Sequence, residues 1–390
     1  MKFDRREFLK TGTAAWLSFG ACRSGGSVRS SYPFHVGTYT RGGSEGIYSC
    51  SLDAESGAIR ITGVTGGVVN PSFLAIHPGG DALYAVCETA DFDGKPGGGV
   101  SAYRLDPAAG ELELLNRQPS GGTGPCHLTV DRTGRHVLVA NYSSGSAAVL
   151  PVESDRSLGA PHQVIQHEGS SVHPRRQRGP HAHSVNLDRS NRHAVVADLG
   201  LDKLMIYDFD PAAGALSPAV EPFYRTRPGA GPRHFTFHRD GKRAFCINEL
   251  DSTLTAFDYD EQNGTLSERA TVSTLPDDYK GNNTCADVHV SACGRFLYGS
   301  NRGHDSIAVA AIGEKNGGLS IIQHHSTGGK TPRNFALDPS GRFLLAANQD
   351  SGTIVVLIVD PDSGLLSPAG HRAEVPMPVC IRFSPLAYSR

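Results

Sequence analysis

A short phrase recurs six times along the chain, at spacings of 54, 57, 50, 53 and 47 residues. Each copy joins an apolar run, a tight polar turn, a second apolar run and a polar pair. The copies are FLAIHPGGDALYAVCE (73–88), HLTVDRTGRHVLVANY (127–142), HSVNLDRSNRHAVVADL (183–199), FTFHRDGKRAFCINEL (235–250), VHVSACGRFLYGSNR (288–302) and FALDPSGRFLLAANQ (335–349). Their turns align on Gly80, Gly134, Asn191, Gly241, Gly294 and Gly341. Short strands at a fixed period of this length are the signature of a β-propeller. Such a fold sends equivalent loops to the same face, so residues far apart in sequence meet at one mouth of the central channel.

The length prior for 390 residues suggests two or three domains, but seven four-stranded blades would use nearly the whole chain. The run 377–385 matches the start of a copy and stops, and Phe34–Thr40 matches the later half of one. Residues 46–53 read as a third strand. The seventh blade is therefore expected to join both termini, with the C-terminal strand innermost, leaving no open sheet edge. Asp-to-Gly turns such as DPAAG (106–110, 210–214), DEQNG (260–264) and DPDSG (360–364) lead into outer strands. No stretch holds a helical period, so the expectation is an all-β seven-bladed propeller with very little helix over residues 32–390.

Residues 1–31 read as an export signal and tether. DRREFLK (4–10) resembles a twin-arginine signal, and the mildly apolar stretch 11–21 follows it. Cys22 after Phe19-Gly20-Ala21 resembles a lipoprotein box, although Leu is more usual where Phe19 stands. The expectation is a periplasmic or lipid-anchored protein whose contact with a membrane runs only through Cys22. A formal net charge of −2 argues against a nucleic-acid binder. The cysteines lack a metal-like CxxC pair, and a closed propeller gives no reason to expect more than a monomer. Arginine outnumbers lysine 29 to 8, a choice suited to fork-like recognition of carboxylate or phosphate.

In a propeller the loop entering each innermost strand and the loop between strands two and three open on one face. The chemistry-bearing residues fall there. Entering the inner strands are Gly124-Pro125-Cys126-His127, Gly179-Pro180-His181-Ala182-His183, Gly231-Pro232-Arg233-His234 and Thr331-Pro332-Arg333-Asn334. The polar pairs place Glu88, Glu249 and Arg302 in the second set. The turns on the other face, such as DRTGR and HRDGK, are ordinary hydrophilic turns. Asn141, Asn248, Asn301 and Asn348 read as backbone-bonding residues, and His127 as a packed channel histidine that also reaches substrate. Arg233, Glu249 and Arg302 put charge at a crowded axis, where an unpaired charge is costly. The insert 167–179, HEGSSVHPRRQRG, reads as a basic flap over the mouth, bringing Arg176 and Gln177 near it. The glycine-rich loop 89–99 borders the same face.

These motifs, over 33–385, resemble the seven-bladed propeller lactonase family, which includes propeller-type 6-phosphogluconolactonases and fungal carboxy-muconate cyclases. The stretch HEGSSVHPRRQRGPHAHSVNLD (167–188) is the most specific part, with GPRHF (231–235), INEL (247–250) and SNR (300–302) beside it. The resemblance implies an active site from His181 or His183, Arg233, Glu249 and Arg302.

The expected reaction is hydrolysis of a small sugar lactone, needing no cofactor and no metal. Glu249, or His181 or His183, would handle the proton. Arg233 and Arg302 would hold an anionic group and stabilise the oxyanion, with His127, Arg176, Gln177 and Arg333 binding substrate. Three rival readings stand beside it: a muconate-type lactonizing cycloisomerase, a calcium site built from Glu88, Asn141, Asp198 and Asn348, and a non-catalytic exported binding propeller.

Overall fold

The computed structural model describes residues 30–106, 110–313 and 317–385; the expected export signal, with Arg5 and Arg6, and Cys22 lie outside them. The six phrases and two terminal runs form seven four-stranded antiparallel sheets, and the loop after Cys87 adds a two-stranded hairpin. No helix occurs among the described residues. Blades 1 to 6 begin with the inner strands Leu74–Ile76, Pro125–Val130, Ala182–Leu187, Pro232–Phe237, Thr284–Val290 and Pro332–Leu337. Blade 7 takes its inner strand, Pro378–Phe383, from the C-terminus and its outer three, Ser31–Thr38, Ile47–Asp53 and Ile59–Thr65, from the N-terminal side. Phe34 pairs with Phe383 and Val36 with Ile381, which closes the ring as expected.

Burial grades outward from the axis. The second strands, such as Ala82–Cys87, His136–Asn141 and Phe343–Asn348, are buried at every position. Both their faces pack against neighbouring blades, so they read as unbroken apolar runs. The outermost strands, such as Leu112–Pro119, are largely exposed. Between blades 4 and 5, for example, Phe245 and Ile247 pack with Leu297 and Ala310. Each fully buried side chain of this kind contributes about 1.5–3 kcal/mol.

Two features explain the repeat. All six turn-reference residues have positive φ, from 59° at Asn191 to 77° at Gly294, which is why Asn is the one replacement for Gly. At Gly37 the constraint is space: a Cβ there would stand 2.3 Å from the Pro71 carbonyl oxygen, where blade 7 meets blade 1. Gly37→Ala is expected to destabilise the protein by about 1–3 kcal/mol. Urea denaturation at equilibrium measures it, and an unchanged midpoint would refute close packing at the seam.

Candidate active site

The inner strands enter the channel mouth through a repeated irregularity. In blades 2, 3, 4, 6 and 7 one extra residue stands unpaired against the second strand: Cys126, His183, Arg233, Arg333 and the apolar Val379. Blade 5 skips two, Ala286 and Asp287. Such bulges re-aim a side chain out of the ladder, and here they carry the chemistry to the mouth. The polar pairs supply a second ring. Their first members, Asn141, Asn248, Asn301 and Asn348, are buried and tie down neighbouring chain. Asn141 Nδ2 donates to the Ser120 carbonyl, Asn301 Nδ2 to that of Thr274, Asn348 Nδ2 to that of Thr327, and Asn248 Nδ2 to the hydroxyls of Thr253 and Thr255. Their second members, Glu88, Tyr142, Glu249 and Arg302, face the mouth together with Tyr39 of blade 7.

The two rings enclose a cavity of about 260 Å³ lined by Glu88, Cys126, Tyr142, Arg176, His183, Glu249, Thr284, Arg302 and Arg333. That lies just below the roughly 300–1,000 Å³ of sites for drug-sized ligands, so it suits a small molecule. A larger hollow of about 680 Å³ lies elsewhere, lined by Asp81, Arg104, Glu113 and Arg156 among turn residues. Both its arginines are paired with carboxylates, Arg104 with Glu113 and Arg156 with Asp81. It offers no convergent reactive group, and the smaller cavity is the better candidate.

Glu249 is the electrostatic centre. Its Oε1 accepts from Arg176 Nη2 at 2.6 Å, and its Oε2 from Arg233 Nε at 3.0 Å and Arg302 Nη2 at 2.9 Å. Burial alone would raise its pKa, but Arg302, Arg233 and Arg176 together hold it well below the usual carboxylate range. A carboxylate so committed is a weak base. Its geometry suits a hub that fixes three guanidiniums, in place of the proton-handling role expected for it. Arg233 is pushed down to about 9 by burial and by the neighbouring Arg302 and Arg333. That drop exceeds what Glu249 restores, yet a guanidinium stays protonated at neutral pH. Arg302 Nη2 also donates to the Cys285 carbonyl at 2.7 Å, while its buried Nε has no partner.

Across the cavity, Arg333 lies 5.4 Å over the Tyr39 ring and forms no ion pair within 4.0 Å among the described residues. Tyr39 and Ser72 donate their hydroxyls to Glu88. Arginines thus outnumber carboxylates around the cavity, four to two, and the excess favours an anionic or oxyanion-forming ligand.

The two histidines left open by the sequence part company here. His183 is the bulge residue and lines the cavity. Its Nδ1 lies 3.7 Å from Cys126 Sγ. Burial and the nearby Arg233 lower its pKa well below the ordinary histidine value, so it stays neutral. His181 stacks on Tyr142 at 4.5 Å and donates Nδ1–H to the Tyr142 carbonyl at 2.9 Å. It supports the tyrosine wall. The thiol of Cys126 is raised by burial, and its Sγ lies 3.3 Å from the His183 carbonyl, so it is no thiolate nucleophile.

Other expected site residues sit apart from the cavity. Gln177 is buried in the flap, where its amide donates to the Leu199 carbonyl and Asp202 and accepts from His173 N–H. It shapes the flap that carries Arg176, whose Nη2 also reaches the Tyr142 hydroxyl at 3.2 Å. His127 lies deeper, packed 4.0 Å from the Phe73 ring. The four residues of the calcium reading do not converge: Asp198 is bound to His167 at 2.6 Å and to the His181 amide, and the others are engaged as described. Tyr39 and Thr284 were not anticipated as site residues. Tyr39 was legible, because Phe34–Thr40 aligns with Val137–Ser143 and sets Tyr39 against Tyr142.

Fold and cavity together describe a seven-bladed propeller with an arginine-rich pocket lined from the ends of its inner and second strands. Residues 33–383 match the family model described as lactonase, 7-bladed beta-propeller, and the chain belongs to that family. It is 39% identical over 352 residues to a protein of Bacillus subtilis strain 168 named 6-phosphogluconolactonase, covering 90% of this chain and 98% of that one. A Formosa agariphila protein of the same name is 35% identical, covering 78% and 86%. The solved structure of the Pseudomonas aeruginosa periplasmic gluconolactonase PpgL superposes with a TM-score of 0.86 at 37% identity, covering 91% and 99%.

Proposed function

We propose that this chain hydrolyses a small sugar lactone in the 260 Å³ cavity. The observation that carries the reading is a neutral buried imidazole, His183, facing a set of fixed guanidiniums in a chain of the lactonase family. His183 takes a proton from the attacking water. Arg302, which lines the cavity, stabilises the oxyanion that develops on the carbonyl oxygen, and Arg233 backs it. Glu249 holds both arginines and Arg176 in place. Arg333 and Glu88 bind the substituents of the sugar ring, the arginine as donor and the carboxylate as acceptor of hydroxyl hydrogen bonds. His181 acts through Tyr142. Purified protein should open δ-gluconolactone or 6-phosphogluconolactone well above the spontaneous rate. No acceleration of either overturns the reading.

The same proposal puts the reaction outside the cytosol, with the substrate unphosphorylated. The signal-like DRREFLK (4–10) supports it, as does the P. aeruginosa relative named periplasmic. Lipid attachment at Cys22 would then tether the domain. Changing Arg5 and Arg6 together to Lys is expected to retain the chain in the cytosol, as read by cell fractionation; unaltered export would contradict the signal.

A further inference from the structure

Beneath the cavity floor lies a group of titratable side chains that the reaction as described does not use. Asp287, 3% exposed, accepts four hydrogen bonds: Oδ1 from His234 Nδ1 at 2.6 Å and from Val288 N–H at 2.9 Å, Oδ2 from His289 Nε2 at 2.9 Å and from the Asn334 amide. An acceptor-only carboxylate fixes the tautomer of His234. The proton sits on Nδ1, and Nε2 carries a lone pair with no protein partner among the described residues.

That free nitrogen belongs to a ring 5.5 Å from His183, at 66°, and 5.5 Å from His127, at 82°. His127 accepts the Val185 N–H on its Nδ1, so in neutral form its own proton lies on Nε2. The bulges create this stack. In each of blades 2 and 4 the residue after the bulge, His127 or His234, is back in register with the second strand, and the two rings stand against each other. Other charged groups near the stack are Arg233 on the same strand as His234, Arg333 from blade 6 and Arg382 from blade 7. His289, the other histidine on Asp287, is 31% exposed and connects the group to solvent.

We propose that His234, oriented by Asp287, is a positioning and proton-relay residue acting behind His183. The inference rests on the lactonase reading. Water oxygen bonds to the lactone carbonyl carbon as one water proton passes to His183. The ring C–O bond then breaks, and the remaining hydroxyl proton goes to the ring oxygen. The products are a hydroxyl and a carboxylate, plus one proton held by His183. Through one intervening water that proton reaches His234 Nε2, which returns His183 to its neutral form for the next turnover.

The test is His234→Asn, whose side-chain amide keeps a donor to Asp287 while deleting the Nε2 position. It is assayed in full-length enzyme on a lactone that wild type turns over. We expect a 10- to 100-fold fall in kcat with KM within twofold of wild type and an unchanged Tm. Rates in mixed H₂O and D₂O should curve with deuterium fraction in wild type and become linear in the variant. Wild-type kcat and curvature in a folded His234→Asn overturn the relay and leave the lactonase reading intact. Asp287→Asn gives a second reading of the same kind. If wild type opens no lactone, the lactonase reading falls and the relay with it.

Discussion

His183→Gln is expected to reduce kcat on a lactone by two to four orders of magnitude, the usual contribution of a positioned proton acceptor. KM should change little, because the guanidiniums that bind the substrate stay in place. Stability should also hold, since the His183 ring nitrogens make only a 3.7 Å contact with Cys126 Sγ. The pH profile offers a second check. Burial and Arg233 lower the His183 pKa, so the neutral, active form persists below the ordinary histidine value of 6.5. Activity should be flat as pH falls through 6.5 and decline only at lower pH, through the lowered pKa. An acid limb centred near 6.5 would point to an exposed histidine as the proton acceptor.

Glu249→Gln should be the more damaging change to the fold. It leaves Arg176, Arg233 and Arg302 facing one another without the carboxylate that pairs them. Breaking a buried ion pair from one side typically costs about 3–5 kcal/mol, so a clear fall in Tm is expected. Activity should drop as well, by about 10²–10³-fold, because the oxyanion donors lose their alignment. The pH dependence has a definite sign. The folded-state pKa of Glu249 is depressed, so its contribution is present above the unfolded carboxylate value near 4.3 and is lost as pH falls toward the folded one. The stability gap between wild type and variant should therefore shrink on acidification below about pH 4. A variant with wild-type Tm and lost activity would return Glu249 to the role of a base.

The repeat made most of the fold legible. Turn glycines, inner apolar runs and the split terminal blade all follow from positions in the sequence, because period and turn chemistry are local properties. That Glu249, Arg302, His183 and Arg333 line one cavity was legible for the same reason: equivalent loops must share a face. Local register was legible only from the turns: Cys126, His183, Arg233 and Arg333 each stand eight residues before Gly134, Asn191, Gly241 and Gly341, whereas the Gly-Pro motifs point elsewhere. Gly179-Pro180-His181 looks like the counterpart of Gly124-Pro125-Cys126 and Gly231-Pro232-Arg233, which would make His181 the site residue. The bulge instead falls at His183, two residues on, because Ala182 pairs with Asp198 as Pro125 pairs with Asn141. Glu249 shows a second limit. A charged residue at the axis announces itself in sequence, but its three arginine partners come from the flap, blade 4 and blade 5. Only their convergence turns a candidate base into an electrostatic hub. Asp287 was hidden likewise, because blade 5 skips two residues where the others skip one.

The central claim is that lactone chemistry takes place in the cavity between His183, Arg302 and Arg333. A crystal structure with the reaction product, gluconate, tests it most directly. The account predicts gluconate in that cavity, with its carboxylate on Arg302 and within hydrogen-bond reach of His183, and its hydroxyls toward Glu88 and Arg333. Gluconate bound instead at the outer hollow of Asp81 and Arg104, or beside His289, would contradict it.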